Sequence, residues 1–149
     1  MPAVKKIVCT VDFADHSSLV ASYAKEFAQK FDAEVLVLYV APALAHYSVD
    51  FEVSDDSVQT FVKEVVTGAE ANMKKFVAAN FSGVKASGRV ATGYVSDKIL
   101  EIVDEVKADM IIMGTHGRSG LAGFILGSVA EKIVKLSKVP VLTVHPQKK

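Results

Sequence analysis

The chain has 149 residues, half of them hydrophobic, which suits one folded domain spanning residues 1–149 with a substantial core. Basic and acidic residues balance at 17 each, so no excess of positive charge favours nucleic acid or an anionic membrane. The single cysteine, Cys9, excludes a disulfide within the chain. No apolar stretch is long enough to span a bilayer, and no signal-peptide core is recognisable. We therefore expect a cytoplasmic protein that binds neither nucleic acid nor membranes.

Short β-prone runs alternate along the chain with stretches of helical periodicity. The runs predict strands at Ile7–Val11, Glu34–Val40, Val84–Ala91, Asp109–Met113 and Pro140–His145. Apolar residues at helical spacing predict helices at Ser17–Phe31 and Asp56–Asn80, a third after Gly93, and a fourth that ends at about Lys138. We expect the apolar faces of these helices to include Phe31, Phe61 and Leu136, and the first N-cap to lie within Asp15–Ser18. This alternation predicts an α/β fold with a doubly wound parallel sheet.

A glycine-rich stretch from Gly114 to Ser128 follows the fourth predicted strand and precedes the last helix. A strand, a glycine-rich loop and a helix start together present backbone N–H groups to an anion. A Walker A loop is excluded because the chain contains no Gly-Lys pair. The dinucleotide fingerprint is also excluded, since Gly117, Gly120 and Gly123 lack its spacing and lie late in the chain. Ser128 is placed either to cap the helix or to bind a phosphate oxygen.

The spacing of Gly114, Gly117 and Gly127-Ser128 resembles that of the nucleotide-binding branch of the universal stress protein family. Two residues separate the first two glycines, and nine separate the second from Gly127. The resemblance extends over the chain from about Val4 to Pro146. It implies a five-stranded sheet of order 3-2-1-4-5 with helices on both faces, in which the first and fourth strands are neighbours. It also implies that an adenine nucleotide, ATP, ADP or AMP, binds at the carboxyl ends of these two strands.

The same resemblance assigns roles to individual residues. Backbone amides around Gly114, Gly117, Gly127, Ser128 and Val129 would hold the phosphates, and any magnesium would be bound through the phosphates and water. The remaining residues of the implied site are Thr10, Val11, Asp12, Val40, Met113, His116 and Arg118. Asp12 would face the adenine side and Val40 would offer its backbone to the adenine edge. No metal ligands and no catalytic residues are expected.

Several of these residues have a second interpretation. Asp12 is also placed to cap the helix that follows it, and Arg118 either screens phosphate charge or is simply solvated. His116 invites a catalytic assignment, but no partner carboxylate or nucleophile is placed near it, which favours a loop-stabilising role. Many family members follow the aspartate with a small residue and a serine. Here Phe13-Ala14-Asp15 departs from that pattern, so we expect a hydroxyl to be missing near the pocket.

The leading hypothesis is an adenine-nucleotide-binding universal stress protein that acts as a nucleotide-dependent switch or stress-survival factor. One alternative is a slow ATPase or self-phosphorylating enzyme, whose turnover would be weak because no general base or lysine clamp is recognisable. Another alternative is a binder of a different small anionic ligand. Mass spectrometry of the ligand released from purified protein on denaturation is the observation that would best decide between these hypotheses.

Two further expectations concern the segment 41–54 and the last strand. Residues 41–54 form a long irregular stretch after the second strand, and we expect nucleotide binding to increase their protection from hydrogen exchange. The strand from Val141 to His145 would lie at a sheet edge and is rich in β-branched residues. Such an edge invites pairing with a second copy, so we expect a homodimer with these strands antiparallel.

Overall fold

The computed structural model describes residues 3–42, 55–115 and 127–146, and His116, Gly117, Arg118 and residues 43–54 lie outside this part. Five strands and four helices alternate along the described residues. The strands are β1 Lys6–Thr10, β2 Glu34–Pro42, β3 Ala86–Gly93, β4 Met110–Gly114 and β5 Val141–Val144. The helices are α1 Ser17–Phe31, α2 Asp55–Asn80, α3 Val95–Val106 and α4 Ser128–Leu136. No helix among the described residues is long and apolar enough to cross a membrane.

The strands form one parallel sheet of order β3-β2-β1-β4-β5, which confirms the predicted fold class and strand order. The central strand β1 pairs with β2 on one side, where Ile7 lies opposite Val35. On its other side β1 pairs with β4, where Val8 lies opposite Ile111. Strands β3 and β5 therefore form the two edges of the sheet.

Helices cover both faces of the sheet, as predicted. Alternate β1 side chains point to opposite faces, and three successive ones, Ile7, Val8 and Cys9, are fully buried. Ile7 and Cys9 belong to the core under α1 and α2, whereas Val8 belongs to the core under α3 and α4. Because both faces are covered, the central strands are apolar without alternation.

The strand boundaries differ from the predicted ones by up to two residues. Strand β2 extends to Pro42 and β3 extends to Gly93, and these two residues are partners in the parallel ladder. The pairing of β2 with β3 therefore continues beyond the apolar residues from which the strands were predicted. The structure replaces the predicted ranges Ile7–Val11, Val84–Ala91, Asp109–Met113 and Pro140–His145 by those given above. The last helix ends at Leu136, two residues before the predicted Lys138.

Three apolar side chains predicted to face the core are exposed instead: Phe31 by 44%, Phe61 by 55% and Leu136 by 56%. Phe31 and Leu136 are the last residues of α1 and α4, and Ala28 and Ile133 fill the core one turn earlier. Phe61 lies in the first part of α2, whose 26 residues span roughly 39 Å. Its neighbour β3 has 8 residues and spans roughly 27 Å, so the helix overhangs the strand.

Candidate functional site

The carboxyl ends of β1 and β4 lie side by side in the middle of the sheet. Cys9 of β1 is paired with Ile112 of β4, so the strands end at neighbouring positions, Thr10 and Gly114. From here the chain turns to α1 on one face of the sheet and to α4 on the other. Such a divergence leaves a crevice at the carboxyl edge, the usual ligand position in open α/β sheets. The aspartate and the start of the glycine-rich stretch therefore meet at one place, as predicted.

Asp12 organises the turn between β1 and α1. Its Oδ1 accepts hydrogen bonds from the Ala14 N–H at 3.0 Å and from the Ser17 hydroxyl at 2.9 Å. The Ser17 Oγ in turn accepts the Asp12 N–H at 3.3 Å. The His16 Nε2 lies 3.7 Å from the Asp12 Oδ2. The N-cap of α1 is His16, which makes no side-chain cap bond, so the interpretation of Asp12 as that cap is wrong.

The expected absence of a hydroxyl near the pocket is also wrong. Ser17 is buried, with 2% of its surface exposed, and its hydroxyl contacts the Asp12 carboxylate directly. The first turn of α1 returns the chain to the end of β1, so a residue five positions after Asp12 becomes its neighbour. Sequence reasoning treated Ser17 only as a cap candidate. Its position at the start of the helix that follows β1 and Asp12 was the available signal.

Phe13 occupies an unusual backbone conformation, with φ at 62°. Non-glycine residues seldom adopt positive φ, and the surrounding packing must hold them there. The Phe13 ring packs against the rings of Tyr39 and Phe76, with centroid distances of 4.9 Å and 5.9 Å. These contacts tie the turn after β1 to β2 and α2. The residue that departs from the family pattern therefore anchors the turn by aromatic packing.

The backbones of Val40 and Gly114 both face the side of β1. The Val11 N–H donates to the Leu38 carbonyl, so the backbone groups of Leu38 face β1. In a parallel ladder the backbone groups of successive residues point to opposite sides, so those of Val40, two residues later, also face β1. The Ile111 N–H donates to the carbonyl of Pro140, which directly precedes β5, so β4 residues of even number, including Gly114, face β1. The side chains of Val11, Val40 and Met113 are buried in the two cores. Val40 and Gly114 therefore present backbone to the crevice, whereas the backbone of Met113 faces β5.

The junction between β4 and α4 brings Thr115 and Gly127 together. The Gly127 N–H donates to the Thr115 carbonyl at 2.8 Å. Gly127 is the N-cap of α4, with no side-chain cap bond, and the exposed Ser128 is the first helical residue. The interpretation of Ser128 as the cap is therefore wrong. The N–H groups of Ser128 and Val129 precede the first intrahelical bond, from Glu131 to Gly127, and have no acceptor within the helix.

Thr115 is a further residue that sequence reasoning missed. It is buried, and its Oγ1 lies 2.8 Å from the His145 Nδ1. Its N–H donates to the Val144 carbonyl at 3.0 Å. The two side chains are 30 positions apart in sequence, and only the register of β4 with β5 brings them together.

Neither the thiol nor the acidic side chains of the described residues form a reactive or metal-binding cluster. Burial raises the pKa of the Cys9 thiol to about 12, so the thiol stays protonated at neutral pH. Within residues 3–42, 55–115 and 127–146, no three His, Cys, Asp or Glu side chains lie together as a metal site. The arrangement at the crevice consists of backbone donors, a helix start and one carboxylate.

Comparison with known proteins relates the whole chain to one family. The model of the universal stress protein family matches residues 3–145. The universal stress protein MJ0531 of Methanocaldococcus jannaschii is 38% identical over 145 residues, which cover 97% of this chain and 84% of that protein. The solved structure of MJ0577 has a TM-score of 0.86 at 26% identity and covers 99% of this chain and 100% of that chain. A universal stress protein in complex with cAMP has a TM-score of 0.63 at 25% identity, covering 97% and 98%. The chain belongs to the universal stress protein family.

Proposed function

We propose that this protein binds an adenine nucleotide in the crevice between β1 and β4 and acts as a nucleotide-dependent switch or stress-survival factor. The observation that carries the proposal is the start of α4, where no side chain caps the helix. This helix follows β4, and the carboxyl end of β4 lies beside the end of β1 and Asp12. A helix start of this kind attracts phosphate through its free N–H groups and its dipole. The cAMP complex of a family member supports an adenine nucleotide as the ligand.

The proposed phosphate site uses the backbone of Gly114, Ser128 and Val129, with Gly117 and Arg118 from the segment outside the described residues. The Gly127 N–H is already bound to Thr115, so Gly127 contributes its conformation and not a donor. The adenine side would be formed by Thr10, Val11, Asp12, Val40 and Met113, with His116 beside the phosphates. Magnesium, if bound, would neutralise phosphate charge and be held by the phosphates and water.

The state of Asp12 favours binding over turnover. One of its carboxylate oxygens already accepts two hydrogen bonds, from Ala14 and Ser17, and the other faces His16. A carboxylate held in this way suits orientation of a ligand better than activation of water, which needs an accessible base in hydrogen-bond reach. We expect any ATP hydrolysis to be slow in comparison with nucleotide binding and release.

We also propose that the chain, as one domain of residues 1–149, forms a cytoplasmic homodimer through β5. The N–H groups of Ile111 and Thr115 donate to Pro140 and Val144, so the N–H and C=O groups of Val141 and Thr143 face away from β4. In sedimentation experiments the wild type should be a dimer, and Thr143→Pro, which removes one outward donor, should be a monomer. A wild type that stays monomeric at high micromolar concentration would refute this assembly.

The phosphate site is tested by removing one backbone donor without removing the helix. Proline is tolerated at the first position of a helix, and Gly127 has ψ at 155°, which a following proline accepts. Ser128→Pro should therefore fold, but it lacks one proposed phosphate donor. We expect calorimetry with ATP to show affinity lowered about tenfold, the loss of one charge-assisted hydrogen bond. Ser128→Ala, which keeps the N–H, should bind nearly as the wild type does.

The matched control is Val95→Pro at the first position of α3. Its N-cap, Tyr94, has ψ at 119°, so proline is accepted there as well. This variant makes the same backbone change after β3, which is two strands away from β1 in the sheet, and should bind ATP with wild-type affinity. Equal affinity in Ser128→Pro, Val95→Pro and the wild type would refute the assignment of the phosphate site.

A further inference from the structure

The Thr115 backbone and side chain join three parts of the molecule. The Thr115 carbonyl accepts the Gly127 N–H at 2.8 Å, which sets the position of the N-cap of α4. Its N–H bonds Val144 at 3.0 Å, and its Oγ1 lies 2.8 Å from the Nδ1 of His145. The buried Thr115 therefore connects the proposed phosphate-binding backbone to the end of β5.

His145 connects this junction to the open edge of the sheet. The alternation of the ladder turns the N–H and C=O of Thr143 outward. Because the Val144 carbonyl faces β4, the trans peptide bond that follows it turns the N–H of His145 outward as well. A second copy paired along β5 would bind these outward groups. The side chain of His145, in contrast, points back to Thr115. His145 thus has its backbone N–H at the edge of the sheet and its ring in contact with Thr115, which bonds to the N-cap of α4.

We propose that the Thr115–His145 pair couples nucleotide affinity to pairing with a second copy of this chain along β5. Pairing fixes the backbone at His145, the imidazole then holds Thr115 in one position, and Thr115 holds Gly127 and the start of α4 ready for phosphate. Thr115 acts here as a positioning residue and does not touch the ligand. The inference rests on the proposed nucleotide site and on the proposed β5 dimer.

The coupling is measured with a double-mutant cycle. The affinity of the wild type for AMP-PNP is compared by calorimetry with that of Thr143→Pro, Thr115→Val and the double variant. We expect Thr143→Pro to weaken binding roughly fivefold, a typical coupling between sites. In the Thr115→Val background the same change should have no further effect, because the connection is already broken. By linkage, each bound AMP-PNP should tighten the wild-type dimer by the same factor, so nucleotide at both sites should tighten it roughly 25-fold in sedimentation experiments.

Control variants separate coupling from general destabilisation. Thr92→Val makes the same change at an exposed threonine of β3, and in that background Thr143→Pro should still weaken binding roughly fivefold. Thr115→Ser keeps the hydroxyl and should keep the coupling. If Thr115→Val fails to fold, His145→Leu replaces it, at an exposed residue that directly follows β5. His145→Asn keeps a polar atom close to the position of Nδ1 and should restore the coupling.

The outcomes distinguish this inference from the proposals on which it rests. Wild-type protein without affinity for AMP-PNP would refute the nucleotide site, and the coupling with it. A wild type that binds AMP-PNP with the same affinity as Thr143→Pro would refute the coupling alone. Equal weakening by Thr143→Pro in the wild-type and Thr115→Val backgrounds would also refute it, since the two changes would then act independently.

Discussion

The contact between Ser17 and Asp12 gives a prediction that links fold stability to the site. Ser17→Ala removes a buried hydroxyl that donates to the Asp12 carboxylate and accepts the Asp12 N–H. A hydrogen bond to a charged group contributes about 1.5–3 kcal/mol. The Asp12 side chain is 25% exposed, so water partly replaces the lost donor and the lower value applies. We expect a loss of about 1.5 kcal/mol in the free energy of unfolding.

For a chain of this size, that loss lowers the melting temperature by about 3–6 °C. The assay is urea and thermal unfolding of Ser17→Ala beside Ser18→Ala, whose exposed hydroxyl makes a long bond of 3.4 Å to Asp15. Ser18→Ala should stay within about 0.5 kcal/mol of the wild type. The Ser17 variant should also bind ATP several-fold more weakly, because Asp12 loses its orientation. Equal stability of the two variants would refute the reasoning.

Three other predictions concern the rest of the molecule. Gly88→Ala should cost about 1–3 kcal/mol in unfolding experiments, because the new Cβ meets Met73 Cγ and lies 2.9 Å from its Sδ. Hydrogen bonds from Lys85 and then Lys6 lower the pKa of Glu34 below 4.5, so its contribution to stability is complete above that value and is lost as pH falls through the lowered pKa. Glu34→Gln should therefore destabilise the protein at pH 7, and this effect should shrink progressively as the pH is lowered below 4.5. Cys9 should resist alkylation until the protein unfolds.

Each of the three has a result that would contradict it. A matched control for the first is Gly68→Ala, where nothing lies within 4 Å of the added Cβ and the helix should gain up to about 1 kcal/mol. Equal stability of Gly68→Ala and Gly88→Ala would contradict the packing argument. A pH-independent effect of Glu34→Gln would contradict the ion-pair argument. Alkylation of Cys9 at the rate of a free thiol would contradict its burial.

The sheet was predictable because burial on both faces leaves a simple pattern. Continuous apolar runs, without alternation of apolar and polar residues, predict the central strands: Ile7, Val8 and Cys9 of β1 are all fully buried, and β2 is equally apolar. The order of the strands in the sheet came from the family resemblance. The ends of elements were less predictable. Strand β2 continues through Pro42 because β3 pairs with it there, and the overhang of α2 exposes Phe61. Both depend on a neighbouring element, which local sequence does not contain.

The backbone positions of the crevice were predictable from motif spacing, but the side-chain contacts that hold them were not. Asp12 follows the end of β1 and Gly114 ends the neighbouring β4, so the parallel order alone places them at one edge. The contact of Thr115 with His145 depends instead on the register of β4 with β5. The positive φ of Phe13 depends on aromatic packing against β2 and α2. Such long-range contacts leave no periodic signal in the sequence.

The central claim, that an adenine nucleotide binds at the start of α4, is tested most directly by NMR of the labelled protein. Titration with ATP should shift the amide resonances of Gly114, Ser128 and Val129, which lie at the ends of β4 and α4. The amides of Gly83 and Ser137, which lie in other connections, should stay in place. If the amide resonances of Gly114, Ser128 and Val129 stay unshifted at saturating ATP, even while other residues respond, the claim is contradicted.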